Sequence, residues 1–135
     1  MDFTAIKVYL ILINLHLEIL NIMIMKDSIT NWSDNEFRTY LLLYCAYIDM
    51  FEHNDEKKLI KEKVGKDLYK KMHEEFDKDK DVTRLHKIQN TIKRLDYSKE
   101  QKKSLIADTM ELFLSDGKFT YMEQYLQKQL KRILR

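Results

Sequence analysis

The chain has 135 residues, of which 44% are hydrophobic and 34% are charged, and its formal net charge is +2. This length fits one domain with its own core, and so small a net charge gives no reason to expect nucleic acid as a partner. The chain contains no proline and only two glycines. Because sheet proteins use both residues in their turns, the composition predicts an all-α protein.

The apolar N-terminal segment, residues 1–31, differs from the rest of the chain. Its run from Val8 to Met25 approaches the length of a membrane span. A helix would carry a narrow polar stripe along this run, formed by Lys7, Asn14, Glu18 and Asn21. A carboxylate at the bilayer centre costs about 2.5–3.5 kcal/mol, against about 0.3–0.6 kcal/mol gained for each Leu or Ile, so insertion is marginal.

Three interpretations of residues 1–31 therefore stay open. The segment is a helix docked by its apolar faces, a weak membrane anchor, or upstream sequence that precedes a true start at Met25. No cleavage site of small residues follows the run, which argues against a signal peptide.

The remainder, residues 32–135, is predicted to fold into six helices joined by short links. The first begins at a Ser-x-x-Glu capping box, Ser33 and Glu36. Gly65 ends the second helix, because glycine is the preferred residue just beyond a helix end. The run DKDKD, residues 77–81, separates the third helix from the fourth.

The last two helices have equally clear limits. Ser98 and Gln101 begin the fifth helix, and Gly117 ends it in a left-handed conformation. Thr120 and Glu123 form a capping box for the sixth.

Two of the helix junctions have the same pattern. Asp49 follows an apolar helix and stands seven residues before Glu56, and Asp116 stands seven residues before Glu123. A leucine follows each glutamate by three positions. This repeat predicts a compact bundle of about six helices built from two similar halves, with the apolar N-terminal segment as an addition.

The stretches LLLYCAYIDMFEHNDEKKLIKEKVG and LIADTMELFLSDGKFTYMEQYLQKQLKRIL resemble the two halves of the TerB-like tellurite-resistance family, which is also seen in the N-terminal domain of DjlA-type co-chaperones. The signature of that family is a helix that ends in an Asp-Gly turn followed by a glutamate. Asp116, Gly117 and Glu123 match it, whereas Met50 stands where glycine is common. The resemblance implies a helical domain whose acidic positions bind a divalent ion, with a role in metal or stress responses.

The segment around Gly117 is not an EF-hand. If Gly117 occupies loop position six, ligand positions one and three are Leu112 and Leu114, which cannot coordinate calcium. Two hypotheses remain for Glu123: a purely structural cap with Thr120, or one half of a shared acidic site. In the second hypothesis the two halves bring together four carboxylates that bind calcium or magnesium, from Asp49, Glu56, Asp116 and Glu123.

We therefore expect a non-enzymatic binding module of the tellurite-resistance or stress-response type, with a TerB-like domain at residues 32–135, a weakly bound divalent cation and a protein partner. The single cysteine, Cys45, excludes an internal disulfide and fits a cytoplasmic location. The alternative is a metal-free, membrane-associated adaptor or protein-interaction domain at the inner face of the membrane. It would be held there by residues 1–31 and by a basic stripe on the last helix, formed by Lys128, Lys131, Arg132 and Arg135. The oligomeric state stays open.

Overall fold

The computed structural model describes residues 2–27, 29–48, 54–115, 117 and 121–134. These residues contain helices and no strands, which confirms the predicted all-α class. The helices are α1 (Phe3–Asp27), α2 (Asp34–Ile48), α3 (Asn54–Val64), α4 (Lys66–Lys78), α5 (Asp81–Leu95), α6 (Lys99–Phe113) and α7 (Tyr121–Ile133). The six helices predicted after residue 32 are α2 to α7, and α1 is the additional apolar helix.

The bundle is organised around α2. Its buried side chains point to all sides of the helix: Phe37, Thr39, Tyr40, Leu41, Leu42, Leu43, Cys45 and Ala46. Residues 39–48 contain no charged side chain, as is typical of a helix that is covered all round. Accordingly α3, α4, α5, α6 and α7 all pack against α2.

The two similar halves correspond to two helix pairs, α2 with α3 and α6 with α7. The central helices α2 and α6 pack against each other. In addition α3 packs against α6, and α7 packs against α2. Exchanging one pair for the other leaves this pattern of contacts unchanged, as expected for a bundle of two similar halves. The remaining helices lie at one side, where α4 packs on α2 and α3 while α5 packs on α2 and α1.

Two helices begin at the capping boxes that the sequence predicts. At the start of α2, the Glu36 amide donates to Ser33 Oγ at 3.2 Å, and the Ser33 amide donates to Glu36 Oε1 at 3.1 Å. The corresponding distances for Ser98 and Gln101 are 3.1 and 2.8 Å. In the third predicted box Thr120 lies outside the described residues, so that box stays a prediction.

A buried polar cluster joins three helices around Lys87, whose side chain is almost fully enclosed. Its ammonium lies 2.7 Å from Asp79 Oδ2 and 3.1 Å from Glu75 Oε1. Asp79 also accepts a hydrogen bond from the Tyr40 hydroxyl at 2.7 Å, and Glu75 accepts one from the Trp32 indole at 3.2 Å. Burial, together with the Asp79 carboxylate, raises the pKa of Tyr40 well above its usual range. The cluster therefore fixes α5 and α4 to α2.

The first prediction concerns Lys87. Lys87→Met should lower the free energy of unfolding by about 2–3 kcal/mol, because it leaves Asp79 and Glu75 next to each other without their cation. This is less than for a fully buried pair, because Glu75 is about one-third exposed. Urea denaturation measures the effect. Lys93→Met is the matched control on the exposed side of the same helix, and an equal loss there would contradict the assignment.

Both glycines have backbone conformations that side chains disfavour. Gly65, between α3 and α4, has φ 87° and ψ 156°, a region that is almost restricted to glycine. Gly117, after α6, has φ 76°, which confirms the predicted left-handed turn. Apart from its chain neighbours, a Cβ atom at either position would meet no heavy atom of the described residues within 4 Å. The cost of a substitution is therefore a cost in backbone conformation.

The conformation of Gly65 is the more restricted to glycine, so substitution there should cost more stability than substitution at Gly117. Gly65→Ala should destabilise the fold by about 1–3 kcal/mol, and Gly117→Ala by about 1–2 kcal/mol. Gly117→Val should cost more than Gly117→Ala, because the branched side chain also clashes with its own backbone at positive φ. Thermal unfolding of the three variants tests this, and unchanged melting curves would show that these turns do not need glycine.

Candidate functional site

Two of the four predicted acidic residues lie in described parts of the chain, and both are buried. Glu56 is in the first turn of α3 and Glu123 is in the first turn of α7. Each is only 1% exposed, and Oε2 of each carboxylate is shielded from solvent. A carboxylate is favoured at a helix N-terminus, but capping does not require burial, as the half-buried Glu36 shows. Both glutamates are therefore more deeply buried than a helix cap requires.

The thiol of Cys45 links the two glutamates. Cys45 lies in the middle of α2 and is 1% exposed. Burial raises the pKa of this thiol, and the negative charges of Glu56 and of Glu123 raise it further. Both carboxylates thus approach one buried side chain, although they come from different helix pairs. They also contact other residues of the protein. The two members of the predicted site that lie in described residues are thus both buried, and both act electrostatically on Cys45.

The other two members, Asp49 and Asp116, lie outside the described residues. The four-carboxylate site therefore stays a prediction. Within the described ranges, no group of three or more His, Cys, Asp or Glu side chains has a geometry that could hold a metal ion. The two glutamates alone supply at most four oxygen atoms, whereas calcium takes six to eight ligands. A cation bound here would need ligands from both aspartates, from backbone carbonyls or from water.

Cys45 is not suited to nucleophilic catalysis. The reactive form of a cysteine is the thiolate, which forms readily where neighbouring positive charges lower the pKa. Here burial and two carboxylates act in the opposite direction. The thiol therefore belongs to the core.

A charged groove of about 410 Å³ lies among α2, α3, α4 and α6 and was not predicted from the sequence. Its two cations share Asp108: Arg38 Nη1 lies 2.9 Å from one carboxylate oxygen and Lys63 Nζ lies 3.5 Å from the other. Arg38 also pairs with Asp34 at 3.0 Å, and Lys63 with Glu111. Acids of the chain neutralise both cations, so the ion pairs that line this groove cross-link α2, α3 and α6.

The second distinctive surface is α1. Every residue from Asp2 to Met23 is exposed, including the apolar ones. The segment Phe3–Met23 is 21 residues long and, by length and composition, apolar enough to cross a membrane. None of it is buried against the bundle. The core helix α2, which is similarly apolar in its second half, is enclosed.

Comparisons of the chain with models of protein families, with curated proteins and with solved structures found no match. The TerB-like resemblance therefore rests on the two helix junctions alone and stays a hypothesis.

Proposed function

We propose that this protein is a membrane-attached, non-enzymatic binding module in which α1 lies in the bilayer and α2 to α7 form a helical domain at its surface. The observation that carries the proposal is the exposure of α1 from Asp2 to Met23. Contiguous apolar patches larger than a few hundred Å² are rare on soluble monomers and mark protein or membrane contacts. An isolated helix is also marginal in water, since most helical stability comes from packing.

The dimensions of α1 support a bilayer as its environment. At about 1.5 Å per residue, 21 residues extend about 31 Å, close to the hydrocarbon thickness of about 30 Å. Twelve residues of Phe3–Met23 are Leu, Ile, Val or Phe. Together they favour insertion by about 4–7 kcal/mol, against about 2.5–3.5 kcal/mol for Glu18 if it stays charged. The balance supports an anchor, although a weak one.

The connection after α1 is anchored to the bundle. The Thr30 hydroxyl lies 2.7 Å from the Thr91 hydroxyl of α5, and Arg94 Nη2 donates to the Trp32 carbonyl at 2.6 Å. The Trp32 ring packs on Tyr40 of α2, with ring centroids 4.4 Å apart. A bilayer that held α1 would therefore hold the helical domain close to its surface, as an adaptor requires.

Cell fractionation tests the membrane proposal. The full chain should stay in the pellet after carbonate extraction, whereas Leu12→Arg combined with Ile13→Arg should become soluble. Two charges at the centre of α1 cost about 5–7 kcal/mol, which cancels the apolar gain. Val82→Arg, an exposed apolar position on α5, is the matched control and should stay in the pellet.

Two outcomes contradict membrane attachment. One is a wild-type chain that carbonate releases completely. The other is a mature chain that has lost α1, which mass spectrometry of the extracted protein would detect and which would identify α1 as a cleaved signal.

A second function is favoured by the burial of Glu56 and Glu123. The proposal is that the bundle binds calcium or magnesium weakly through Asp49, Glu56, Asp116 and Glu123. Like charges in an environment of low dielectric repel each other, and a hard cation relieves that repulsion. A stress-response role of the TerB-like kind is supported by the sequence resemblance of the two junctions.

Cation titration tests this second function. Calcium, magnesium or manganese should shift the amide resonances of the wild type saturably, at high micromolar to millimolar concentrations. Glu56→Gln, Glu123→Gln, Asp49→Asn and Asp116→Asn should each remove the response, because every carboxylate contributes. Asp55→Asn is the control, since it is an exposed acid in the same first turn as Glu56. A wild type without a saturable response would show that the glutamates have only an internal structural role.

A further inference from the structure

Four polar residues of α1 lie on one side of the helix. At about 100° per residue, they fall within an arc of about 60°; they are Lys7, Asn14, Glu18 and Asn21. All four are exposed, as are the apolar residues around them. His16 is on the opposite side, about 160° from Asn14. Thus α1 has one hydrogen-bonding stripe on an otherwise mostly apolar surface.

Such a stripe needs a partner when the helix enters a bilayer. Hydrocarbon offers no hydrogen bonds, so polar side chains of membrane helices face other helices or water-filled cavities. Among the described residues, Phe3–Met23 is the one helix long and apolar enough to span. The described part of this chain therefore offers no second span to cover the stripe, and we look for its partner in a second copy of the chain.

The chemistry of the stripe is self-complementary. An amide both donates and accepts hydrogen bonds, so two copies of Asn14, or two of Asn21, can satisfy each other across a twofold axis. Glu18 lies between Asn14 and Asn21 in the sequence and on the same stripe, so it faces the same seam.

The spacing of the stripe indicates how the two helices are arranged. Lys7, Asn14 and Asn21 share one position of a seven-residue repeat, the repeat that keeps one seam in contact along a left-handed helix pair. A polar residue at such a position specifies register, and Asn opposite Asn gives a parallel, in-register pair. Lys7 lies one turn from the start of α1, where its long side chain reaches the interface.

We propose that α1 pairs within the bilayer with the α1 of a second copy of this chain, in parallel and in register, through Asn14, Glu18 and Asn21. This proposal rests on the membrane attachment proposed above. It makes the membrane-bound protein a dimer whose two helical domains are held side by side.

Sedimentation equilibrium of the full-length protein in density-matched detergent micelles tests the pairing. The wild type should sediment as a dimer. The triple variant Asn14→Leu, Glu18→Leu and Asn21→Leu should raise the dissociation constant of the dimer at least about tenfold, although it makes α1 more apolar. His16→Leu is the matched control: it also replaces a polar residue with leucine, on the opposite side of the helix, and should leave the dimer unchanged.

The outcomes separate the two proposals. Carbonate extraction of the same variants should leave all of them in the membrane pellet. A wild type that remains in the pellet but is monomeric in micelles overturns the pairing alone. So does a triple variant as dimeric as the wild type, or an equal loss in His16→Leu. A wild type released by carbonate overturns membrane attachment and the pairing with it.

Discussion

The enclosure of α2 is the constraint on which the rest of the bundle depends. Residues 39–48 have no charged side chain, and α3 to α7 cover most of this stretch, leaving Tyr47 exposed. The two helix pairs therefore pack on each other crosswise: α2 contacts α6, α3 contacts α6, and α7 contacts α2. This arrangement also brings the first turns of α3 and α7 towards the same part of α2. The burial of Glu56 and Glu123 is therefore a consequence of how α3 and α7 pack in the core.

Local signals made much of the fold predictable. The capping boxes at Ser33 and Ser98 and the left-handed turn at Gly117 depend on a few neighbouring residues, so the sequence alone suffices to place them. Burial was less predictable, because it depends on the neighbours that a helix acquires. Leu85, for example, shares its helical spacing with the buried Ile88 and Ile92 but is itself 38% exposed. No pattern marked the buried Lys87, whose partners lie on another helix.

For the candidate site, too, the sequence predicted the local pattern but not the packing of the side chains. Equal spacing in two helix junctions predicted that Glu56 and Glu123 are related. It did not predict whether the side chains point inward, because a cap and an interior carboxylate occupy the same first turn of a helix. Their 1% exposure answers that question for the two glutamates. The positions of Asp49 and Asp116 depend on how the chain approaches each helix, which spacing does not determine.

The comparison of α1 with α2 gives the strongest argument about function. Both helices are rich in Leu and Ile, but α2 contacts five helices whereas α1 is exposed from Asp2 to Met23. Helices α3 to α7 all pack against α2. The bundle contacts α1 by way of α5. The described helices leave α1 exposed from Asp2 to Met23, and this exposure is the observation on which the proposed membrane attachment rests. The hydrogen bonds between Thr30 and Thr91 and from Arg94 to Trp32 fix the connection after α1 to the helical domain. In the proposed arrangement a bilayer would cover most of this apolar surface, and a second α1 would supply the hydrogen bonds that the bilayer lacks.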